Sequence, residues 1–578
     1  MSKHFFLPLI LTAFISSCSL IGFHYNIHNP SRPGKYPKLT EERVLLGNQE
    51  SKFRTCYDVT YYYLSVHFGA DLEKDKSIRG NSAMNAVALV DFDTLQIDLA
   101  ENMKISAIHS GHASPTGKGA DDELKYFRKK RAAFVVFPQK IKKGQSFGIL
   151  VDYSGKPQEA ERPPWRGGFV RKKDDLKNHW WGVACQTEGA SIWWPCKDVV
   201  NDEPDSVDVD LYVPEGYTGV SNGTRVLPMK RMFSGPPGLK ASNVFCWHIA
   251  NPINIYDVTF YIGKYKLLHD NYYSKITKDT LQLNHYVLEQ HYERAKEHFG
   301  QVKDHLAFYE QTFGPYPWYD DSYKLVESPY AGMEHQSGIA YGNGFKNHLQ
   351  YNFDYIILHE TAHEWWGNAV TATDLADGWL HEGFATYAEA LYVEKTSGYH
   401  SYLYYLQFYR FSMINRRPLV APYGMRYFNY KDGDIYVKGA WVLHSLRYSL
   451  NNDTLFFDIL KSFYMKFRYK NATSYDFQTL VNEKSKSDYT WFFDAYLRNR
   501  FVPELEYAIH GDQLYYRWIK APDNFSMKLS VTTTGGKRLQ LEPVTNTVKI
   551  ISLGSATELI FDESKFLYKP VESKRVRK

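Results

Sequence analysis

The stretch "HETAHEWWGN", residues 359–368, holds two histidines four positions apart, with a glutamate directly after the first. Residues four apart on an α-helix lie on the same face, so His359 and His363 can direct ring nitrogens at one metal ion, with Glu360 beside them. The H-E-x-x-H spacing is a known zinc pattern, but three fixed positions also occur by chance. A surface helix with a charged stripe is therefore the alternative interpretation.

The surrounding residues favour a buried helix. "DYIILHETAHEWWG", residues 354–367, is apolar before the motif and ends at Gly367, which predicts a helix of about three turns with a glycine C-cap. Buried histidines and a buried glutamate are costly without a metal or hydrogen-bond partners, which favours zinc. A catalytic zinc needs three protein ligands and one open position. Glu382, in "WLHEGFATYAEA" (residues 379–390), is the candidate third ligand on a second predicted helix.

The two segments together indicate a zinc site more specifically than either segment alone. "HETAHEWWGN" followed by "WLHEGFATYAEA" resembles the zinc aminopeptidases of the aminopeptidase N type, the gluzincins of peptidase family M1. The resemblance implies that His359, His363 and Glu382 bind one zinc ion and that Glu360 activates the attacking water as general base. His381 stands where the family usually has an asparagine, at a position that is not a ligand.

A second motif concerns recognition of the substrate. "YAGMEHQSGIAYGN", residues 330–343, resembles the family's G-x-M-E-N edge strand, with matches at Gly332, Met333 and Glu334. Ala331 stands where the family usually has its first glycine, and His335 replaces the asparagine. In the family this strand pairs with the substrate backbone and its glutamate binds the free α-amino group. A carboxylate 4 Å from an ammonium is worth up to about 4 kcal/mol at an effective dielectric constant of 20. The alternative for Glu334 is an ordinary exposed strand residue.

Two further segments extend the resemblance. "GDIYVKGAWVLHSLR", residues 433–447, resembles the segment whose tyrosine stabilises the oxyanion, which assigns that role to Tyr436. "CQTEGASIWWPCKDVV", residues 185–200, resembles the segment that enters the active site from the N-terminal domain, and Gln186 matches the position that helps to hold the substrate's amino end. A loop amide with ordinary hydrogen-bond partners is the alternative for Gln186.

Length and patterning predict a multidomain α+β protein. The 578 residues exceed a single core, strand-like alternation dominates up to about residue 265, and helical periodicity follows until about residue 500. The resemblance implies an N-terminal β-saddle, a thermolysin-like mainly helical catalytic domain and a small C-terminal β-sandwich. The predicted limits are 1–17 for a signal peptide, 18–49 for lipid attachment and a tether, and 50–265, 266–502 and 503–578 for the three domains, the last with a basic tail.

The N-terminus predicts export. After Lys3, "FFLPLILTAFI" (residues 5–15) is an apolar run too short for a membrane span but suited to a signal peptide. "ISSCS", residues 15–19, resembles a bacterial lipobox and predicts lipid attachment at Cys18, with cleavage without lipid and an uncleaved anchor as alternatives. We therefore expect a protein of the bacterial cell envelope, anchored to a membrane on the periplasmic or outer-membrane side.

The remaining cysteines and the charge say less about function. Cys56, Cys185, Cys196 and Cys246 allow three disulfide pairings in an oxidising compartment, or are four buried thiols. The 69 basic and 64 acidic residues give a net charge of +5, which is too small a field to indicate a nucleic-acid partner.

The sequence thus predicts a zinc-dependent aminopeptidase that acts on peptides with a free N-terminus. Three alternatives stay open: a related zinc hydrolase of a small non-peptide substrate such as an epoxide, an endopeptidase, and a catalytically inactive binding lipoprotein. Glu334 disfavours the endopeptidase, because its predicted role requires a free amine. The presence of all the predicted ligands and of Glu360 disfavours the inactive lipoprotein.

Overall fold

The computed structural model describes residues 32–113, 121–226, 242–573 and 576. The predicted signal peptide and Cys18 lie outside the described residues, so lipid attachment stays a prediction. Within the described ranges, no helix combines the length and the apolar character that crossing a bilayer requires.

The described part of the predicted tether, residues 32–49, does not extend freely. It contains a short helix, α1 (Glu41–Gly47), which begins where the side chain of Thr40 accepts the N–H of Arg43. The backbone N–H of Gly34 donates to the carbonyl of Arg416 at 2.8 Å, and the rings of Tyr36 and Tyr427 pack edge to face. Tertiary contacts therefore hold this part of the predicted tether against the catalytic unit.

The first large unit is built from β-sheets, as predicted. Its strands are rich in tyrosine, valine and other residues with high β propensity, and the central strands β1 (Tyr57–Phe68) and β10 (Ser206–Pro214) are buried over most of their length. A seven-stranded sheet has the order β12-β13-β10-β1-β2-β7-β4, and two smaller sheets have the orders β11-β14-β9-β8 and β3-β6-β5. The strands are β1 (Tyr57–Phe68), β2 (Ile78–Ala88), β3 (Phe92–Asp98), β4 (Met103–Ser110), β5 (Lys125–Lys129), β6 (Ala132–Ile141), β7 (Ser146–Gly155), β8 (Gly168–Lys173), β9 (His179–Ala184), β10 (Ser206–Pro214), β11 (Thr218–Val220), β12 (Thr224–Val226), β13 (Ser242–Ile249) and β14 (Tyr261–Gly263).

The central unit combines a mixed five-stranded sheet with helices, as expected for the catalytic domain. The sheet has the order β15-β16-β17-β19-β18, so the short strand β18 lies at its edge. The strands of this sheet are β15 (Tyr265–Tyr273), β16 (Thr280–Leu288), β17 (Leu325–Glu327), β18 (Gly332–Met333) and β19 (Ile339–Tyr341). A separate parallel pair is formed by β20 (Val370–Ala372) and β21 (Lys470–Ala472). The helices are α2 (Tyr292–His298), α3 (Val302–Phe313), α4 (Tyr355–His363), α5 (Trp379–Ser397), α6 (Tyr399–Arg410), α7 (Asp434–Leu450), α8 (Asp453–Phe467), α9 (Ser474–Ser485) and α10 (Thr490–Phe493).

The C-terminal unit consists of two small sheets, in agreement with the predicted β-sandwich. Their strand orders are β26-β23-β22-β28 and β25-β24-β27. The strands are β22 (Glu504–His510), β23 (Gln513–Ile519), β24 (Leu529–Thr533), β25 (Arg538–Leu541), β26 (Lys549–Ser552), β27 (Leu559–Phe561) and β28 (Lys569–Glu572).

Two hydrophobic cores meet across the central sheet. One core fills the β-rich first unit and includes Met333 and Ala340 from the central sheet. The other runs from the helices into the C-terminal sheets and includes Ile357 and Leu358 of α4. Strand β18 is therefore held against the first unit, while the helix with the H-E-x-x-H motif is held by the second core.

Helix α4 is shorter than predicted. Asp354 is its N-cap, whose side chain accepts the N–H of Ile356, and the helix ends at His363 rather than at Gly367. The N–H groups of Trp365 and Trp366 both donate to the carbonyl of Ala362, which closes a turn after the helix. Gly367 still carries the positive φ of +126° that made glycine the expected residue at this end.

The structure decides between the two states of the cysteines. Cys56, Cys185 and Cys196 are buried thiols outside any disulfide, and Cys246 is also buried. Because each of the three pairings would use all four residues, none of them forms.

Candidate active site

Helices α4 and α5 bring the predicted metal ligands together. The Nε2 atoms of His359 and His363 are 3.1 Å apart, and Oε2 of Glu382 lies 3.5 Å from the first and 3.4 Å from the second. Ligands placed 2.0–2.1 Å from a zinc ion at tetrahedral angles are themselves about 3.3 Å apart. Two imidazoles and one carboxylate also form the donor set of known catalytic zinc sites.

The outer nitrogens of both imidazoles have acceptors, which fixes their tautomers. Nδ1 of His359 lies 2.6 Å from Oε1 of Glu389, and Nδ1 of His363 lies 2.8 Å from the carbonyl oxygen of Trp366. Since a carboxylate and a carbonyl only accept, each Nδ1 carries hydrogen and each neutral ring presents the lone pair of Nε2 to the other. Converging lone pairs are unfavourable unless a proton or a cation lies between them, so the donor set fits a metal ion.

The electrostatics of this group agree with cation binding. Burial raises the pKa of Glu382, but hydrogen bonds from His359 and His363 lower it further, to about 2. Burial lowers the pKa of His363, but the hydrogen bond with Glu382 and its charge raise it to about 8. The carboxylate thus stabilises positive charge among the imidazoles, and a bound metal would displace the ring protons.

Glu360 lies next to this donor set and against β18. Its carboxylate is within 4.8 Å of the ligand atoms of His363 and Glu334. A Cβ atom on Gly332 would overlap Oε1 of Glu360. Strand β18 can therefore lie this close to Glu360 only because residue 332 is a glycine. Burial raises the pKa of Glu360 to about 8, and Oε2 has no hydrogen-bond partner among the described residues. This oxygen is available to a substrate or to water.

Glu334 also lies next to the donor set, with a carboxylate oxygen within 4.8 Å of ligand atoms of Glu360 and His363. It is only 3% exposed, and its Oε1 accepts hydrogen bonds from Nε2 of Gln186 and from the hydroxyl of Tyr256 at 3.3 Å. The side chain of Asn368 donates to the backbone carbonyl of Glu334 at 2.7 Å, which ties the strand to the turn after α4. The structure therefore places Gln186 and Glu334 in contact, and Glu334 is not the exposed strand residue of the alternative interpretation.

His335, the departure from the family motif, is also buried. Its Nδ1 lies 2.8 Å from the hydroxyl of Tyr261, and burial lowers its pKa to about 3. The histidine is therefore neutral and packs into the first unit. His381, the other departure, accepts the backbone N–H of Ala372 at 2.8 Å and lies outside the donor set.

Tyr436 closes the site from α7. Its ring centre is 6.2 Å from that of His359, and its hydroxyl accepts a hydrogen bond of 3.3 Å from the indole of Trp165. Helices α5 and α7 cross closely at two glycines, since a Cβ on Gly383 would lie 2.9 Å from Cα of Gly439. Because neither glycine has a side chain, the two helices come close enough to bring Glu382, next to Gly383, and Tyr436, three residues before Gly439, to one site.

Three residues at the site were missed by the sequence analysis: Trp165, Tyr256 and Glu389. Glu389 lies seven residues after Glu382, two helical turns along the same face of α5, and this periodicity was a signal that could have identified it. Trp165 and Tyr256 come from the first unit, and no local pattern marks either of them.

Glu389 provides a prediction about metal affinity. It is 2% exposed, and besides His359 it accepts hydrogen bonds from the hydroxyls of Tyr405 and Tyr409. Such a partner orients the ligating imidazole and raises its basicity. We expect Glu389→Gln to weaken zinc binding by about 10- to 100-fold, measured by competition with a chromophoric chelator.

Glu394→Gln is the matched control for that measurement. Glu394 lies on the same helix but pairs with Arg447 at 2.7 Å, away from the donor set. Its replacement should leave zinc affinity unchanged. Equal zinc affinity in the Glu389→Gln variant and the unmodified protein would show that Glu389 does not support the ligand.

Part of this chain is similar to proteins of a known peptidase family. Residues 297–496 match the model of the Peptidase family M1 domain. The chain is 27% identical over 182 residues to Aminopeptidase B of Mus musculus, which covers 31% of this chain and 25% of that protein. It is 24% identical over 393 residues to Endoplasmic reticulum aminopeptidase 1 of Mus musculus, covering 62% and 39%. The chain thus spans about a quarter of the length of the aminopeptidase B proteins that it matches.

Solved structures share the fold over a larger part of the chain. An M1 zinc metallopeptidase from Deinococcus radiodurans matches with a TM-score of 0.59 and 21% identity, covering 74% of this chain and 90% of that chain. A mutant of it bound to a Tyr-Ser-Ala substrate matches with a TM-score of 0.61 and 20% identity, covering 76% and 94%. The residues similar to the peptidase family M1 domain, 297–496, thus include the helix with the H-E-x-x-H motif, the third predicted ligand and Tyr436.

Proposed function

We propose that this protein is a zinc-dependent aminopeptidase, which removes the N-terminal residue from peptides. One zinc ion would be held by His359, His363 and Glu382, the donor set whose geometry fits it. When bound, the ion polarises the scissile carbonyl and lowers the pKa of a bound water from 15.7 to about 7.

The observation that carries this proposal is the position of Glu334. Its buried carboxylate and that of Glu360 lie within 4.8 Å of a ligand atom of His363. A cationic group bound at Glu334 would therefore be close to the scissile carbonyl, and a free α-amino group is the cation that every peptide carries beside its first peptide bond. Gln186 and Tyr256 orient the carboxylate through the hydrogen bonds to its Oε1.

The other residues have positions suited to the chemical steps. Glu360 would take a proton from the attacking water at its unpartnered Oε2 and pass it to the leaving amine. The hydroxyl of Tyr436 would donate a hydrogen bond to the oxyanion that develops on the substrate. Backbone groups of edge strand β18 are available to pair with the substrate main chain.

The named relatives support a peptide substrate. The curated relatives are aminopeptidases, and a related structure holds a Tyr-Ser-Ala substrate. The proposal extends that activity to this chain because the donor set, Glu360, Glu334 and Tyr436 are all gathered at one site here.

The test uses the purified full chain and a panel of aminoacyl fluorogenic amides, each with its N-acetylated counterpart, with and without a zinc chelator. We expect cleavage of the free-amine substrates only, abolished by the chelator and restored by zinc. Cleavage of the acetylated substrates would instead indicate an endopeptidase. No cleavage with zinc bound would favour the inactive lipoprotein or a small-molecule hydrolase.

We further propose that a lipid on Cys18 anchors the protein to a bacterial envelope membrane. The support is the apolar run of residues 5–15 followed by the lipobox-like "ISSCS". The test is incorporation of labelled palmitate into the expressed full chain, compared with a Cys18→Ala variant. Equal labelling of the two proteins would exclude Cys18 as the attachment site.

A further inference from the structure

A loop of the first unit extends to the catalytic tyrosine. Residues 156–167 connect β7 to β8, and near the end of this loop the indole Nε1 of Trp165 lies 3.3 Å from the hydroxyl oxygen of Tyr436. The two residues are 271 positions apart in the sequence and belong to different structural units. This hydrogen bond is therefore a direct link between the β-rich unit and the proposed oxyanion donor.

The loop holds Trp165 in a defined position. The hydroxyl of Thr187 donates to the carbonyl of Trp165 at 2.7 Å, and the guanidinium of Arg162 lies 5.3 Å from the centre of the indole. Backbone hydrogen bonds in both directions between Arg162 and Arg166 close the loop. Because Thr187 follows Gln186 directly, the segment that contacts Glu334 also holds Trp165.

The indole group can only donate a hydrogen bond, which constrains the hydroxyl that it contacts. Once the oxygen of Tyr436 accepts from Trp165, the single hydroxyl hydrogen must point away from the indole. Burial raises the pKa of that hydroxyl, and on its other side the carboxylates of Glu382, one of the proposed metal ligands, and of Glu334 raise it further. The hydroxyl hydrogen is therefore directed towards the side of the site that holds the donor set, where the scissile carbonyl lies in the proposed function.

We propose that Trp165 is a positioning residue for the reaction, which orients the hydroxyl of Tyr436 towards the developing oxyanion. This inference rests on the proposed aminopeptidase function. A donor that is already oriented pays no cost for reorganisation when charge develops on the substrate. An accepted hydrogen bond also polarises the hydroxyl, which strengthens the hydrogen bond that it donates. Trp165 itself need not touch the substrate.

The test is a double-mutant cycle that combines Trp165→Phe with Tyr436→Phe. We expect Trp165→Phe to lower kcat by about 3- to 10-fold, the loss typical of one neutral hydrogen bond, with little change in KM. In the Tyr436→Phe background the same replacement should leave kcat unchanged, since the group it orients is gone. Replacing Trp165 with benzothienylalanine, which keeps the ring shape but has no N–H, should reproduce the loss.

Trp180→Phe is the matched control. The indole of Trp180 also donates to a tyrosine hydroxyl, that of Tyr265 at 3.0 Å, and it is half-buried in the same unit. This variant should keep the kcat of the unmodified enzyme. Zinc content and thermal unfolding of each variant show whether it is folded.

Three outcomes would overturn the inference: a loss of the same size in the Tyr436→Phe background, a loss confined to KM, or full activity with benzothienylalanine. Each would mean that Trp165 only covers the site or contacts the substrate. An unmodified protein that cleaves none of the panel would instead reject the proposed function, so the two failures are distinguishable.

Discussion

Replacing Glu360 with glutamine is expected to lower kcat by about 10²- to 10⁴-fold while zinc stays bound, because the amide cannot accept the proton of the attacking water. The residue is not among the three proposed ligands, so the metal site should survive the change. Glutamine has nearly the same size, and the close packing of Gly332 against Oε1 is preserved. Steady-state kinetics together with zinc analysis of the purified variant test this prediction.

The buried environment of Glu360 is consistent with its role as a base. Burial raises its pKa to about 8, whereas the neighbouring imidazoles lower it. A base with a pKa near the working pH can both accept and return a proton within one turnover. The residue thus combines a suitable position beside the donor set with suitable acidity.

Glu364→Gln provides the matched control for this variant. Glu364 is equally buried and its pKa is likewise raised by burial to about 8, but its Oε1 accepts the backbone N–H of Ser337 at 2.9 Å. We expect its replacement to lower the free energy of unfolding, because a buried hydrogen-bond acceptor is altered, and to leave kcat nearly unchanged. Full activity in the Glu360→Gln variant would overturn the proposed mechanism.

Replacing Glu334 with glutamine is expected to lower kcat/KM for free-amine substrates by about 30- to 1000-fold. The upper value corresponds to about 4 kcal/mol for a carboxylate 4 Å from an ammonium at a dielectric constant of 20, and the lower value to half of that after desolvation. Glutamine has the same side-chain length as glutamate, so the side chain at position 334 still reaches Gln186. The measurement is kcat/KM for an aminoacyl amide and, at high enzyme concentration, for the residual cleavage of its acetylated counterpart.

The ratio between the two substrates is the informative quantity. The loss should be large for the free amine, whereas the acetylated substrate has no charge for Glu334 to stabilise. Glu542→Gln, an exposed carboxylate that pairs with Lys528 on the C-terminal sheets, should change neither value. An unchanged preference in the Glu334→Gln variant would assign recognition of the amino group to other residues.

The sequence was sufficient where the signal is local. The spacing of His359 and His363 follows the period of a helix, and Glu382 was identified by the resemblance of the next predicted helix to the family motif. The structure brings all three residues together. The alternation of apolar residues likewise identified the β-rich first unit and the C-terminal sheets. The domain limits and the roles of the individual residues stay predictions.

Local sequence patterns were misleading in two places where tertiary contacts determine the conformation. The proline-rich composition of residues 32–49 predicted a tether, yet this segment packs on the catalytic unit through Tyr36 and Gly34. The helix at the motif was predicted to continue to Gly367, but a turn formed by Trp365 and Trp366 ends it at His363. In both places tertiary packing outweighed local preference.

The order of the amino acids was enough to establish the family resemblance, the fold class and the residues that gather around the proposed metal. Only the tertiary structure showed that Gln186 contacts Glu334, 148 residues away, and that Trp165 contacts Tyr436, 271 residues away. These contacts arise where the β-rich unit packs against the catalytic unit. Their geometry depends on how two separate cores meet, and no period or spacing within either segment encodes it.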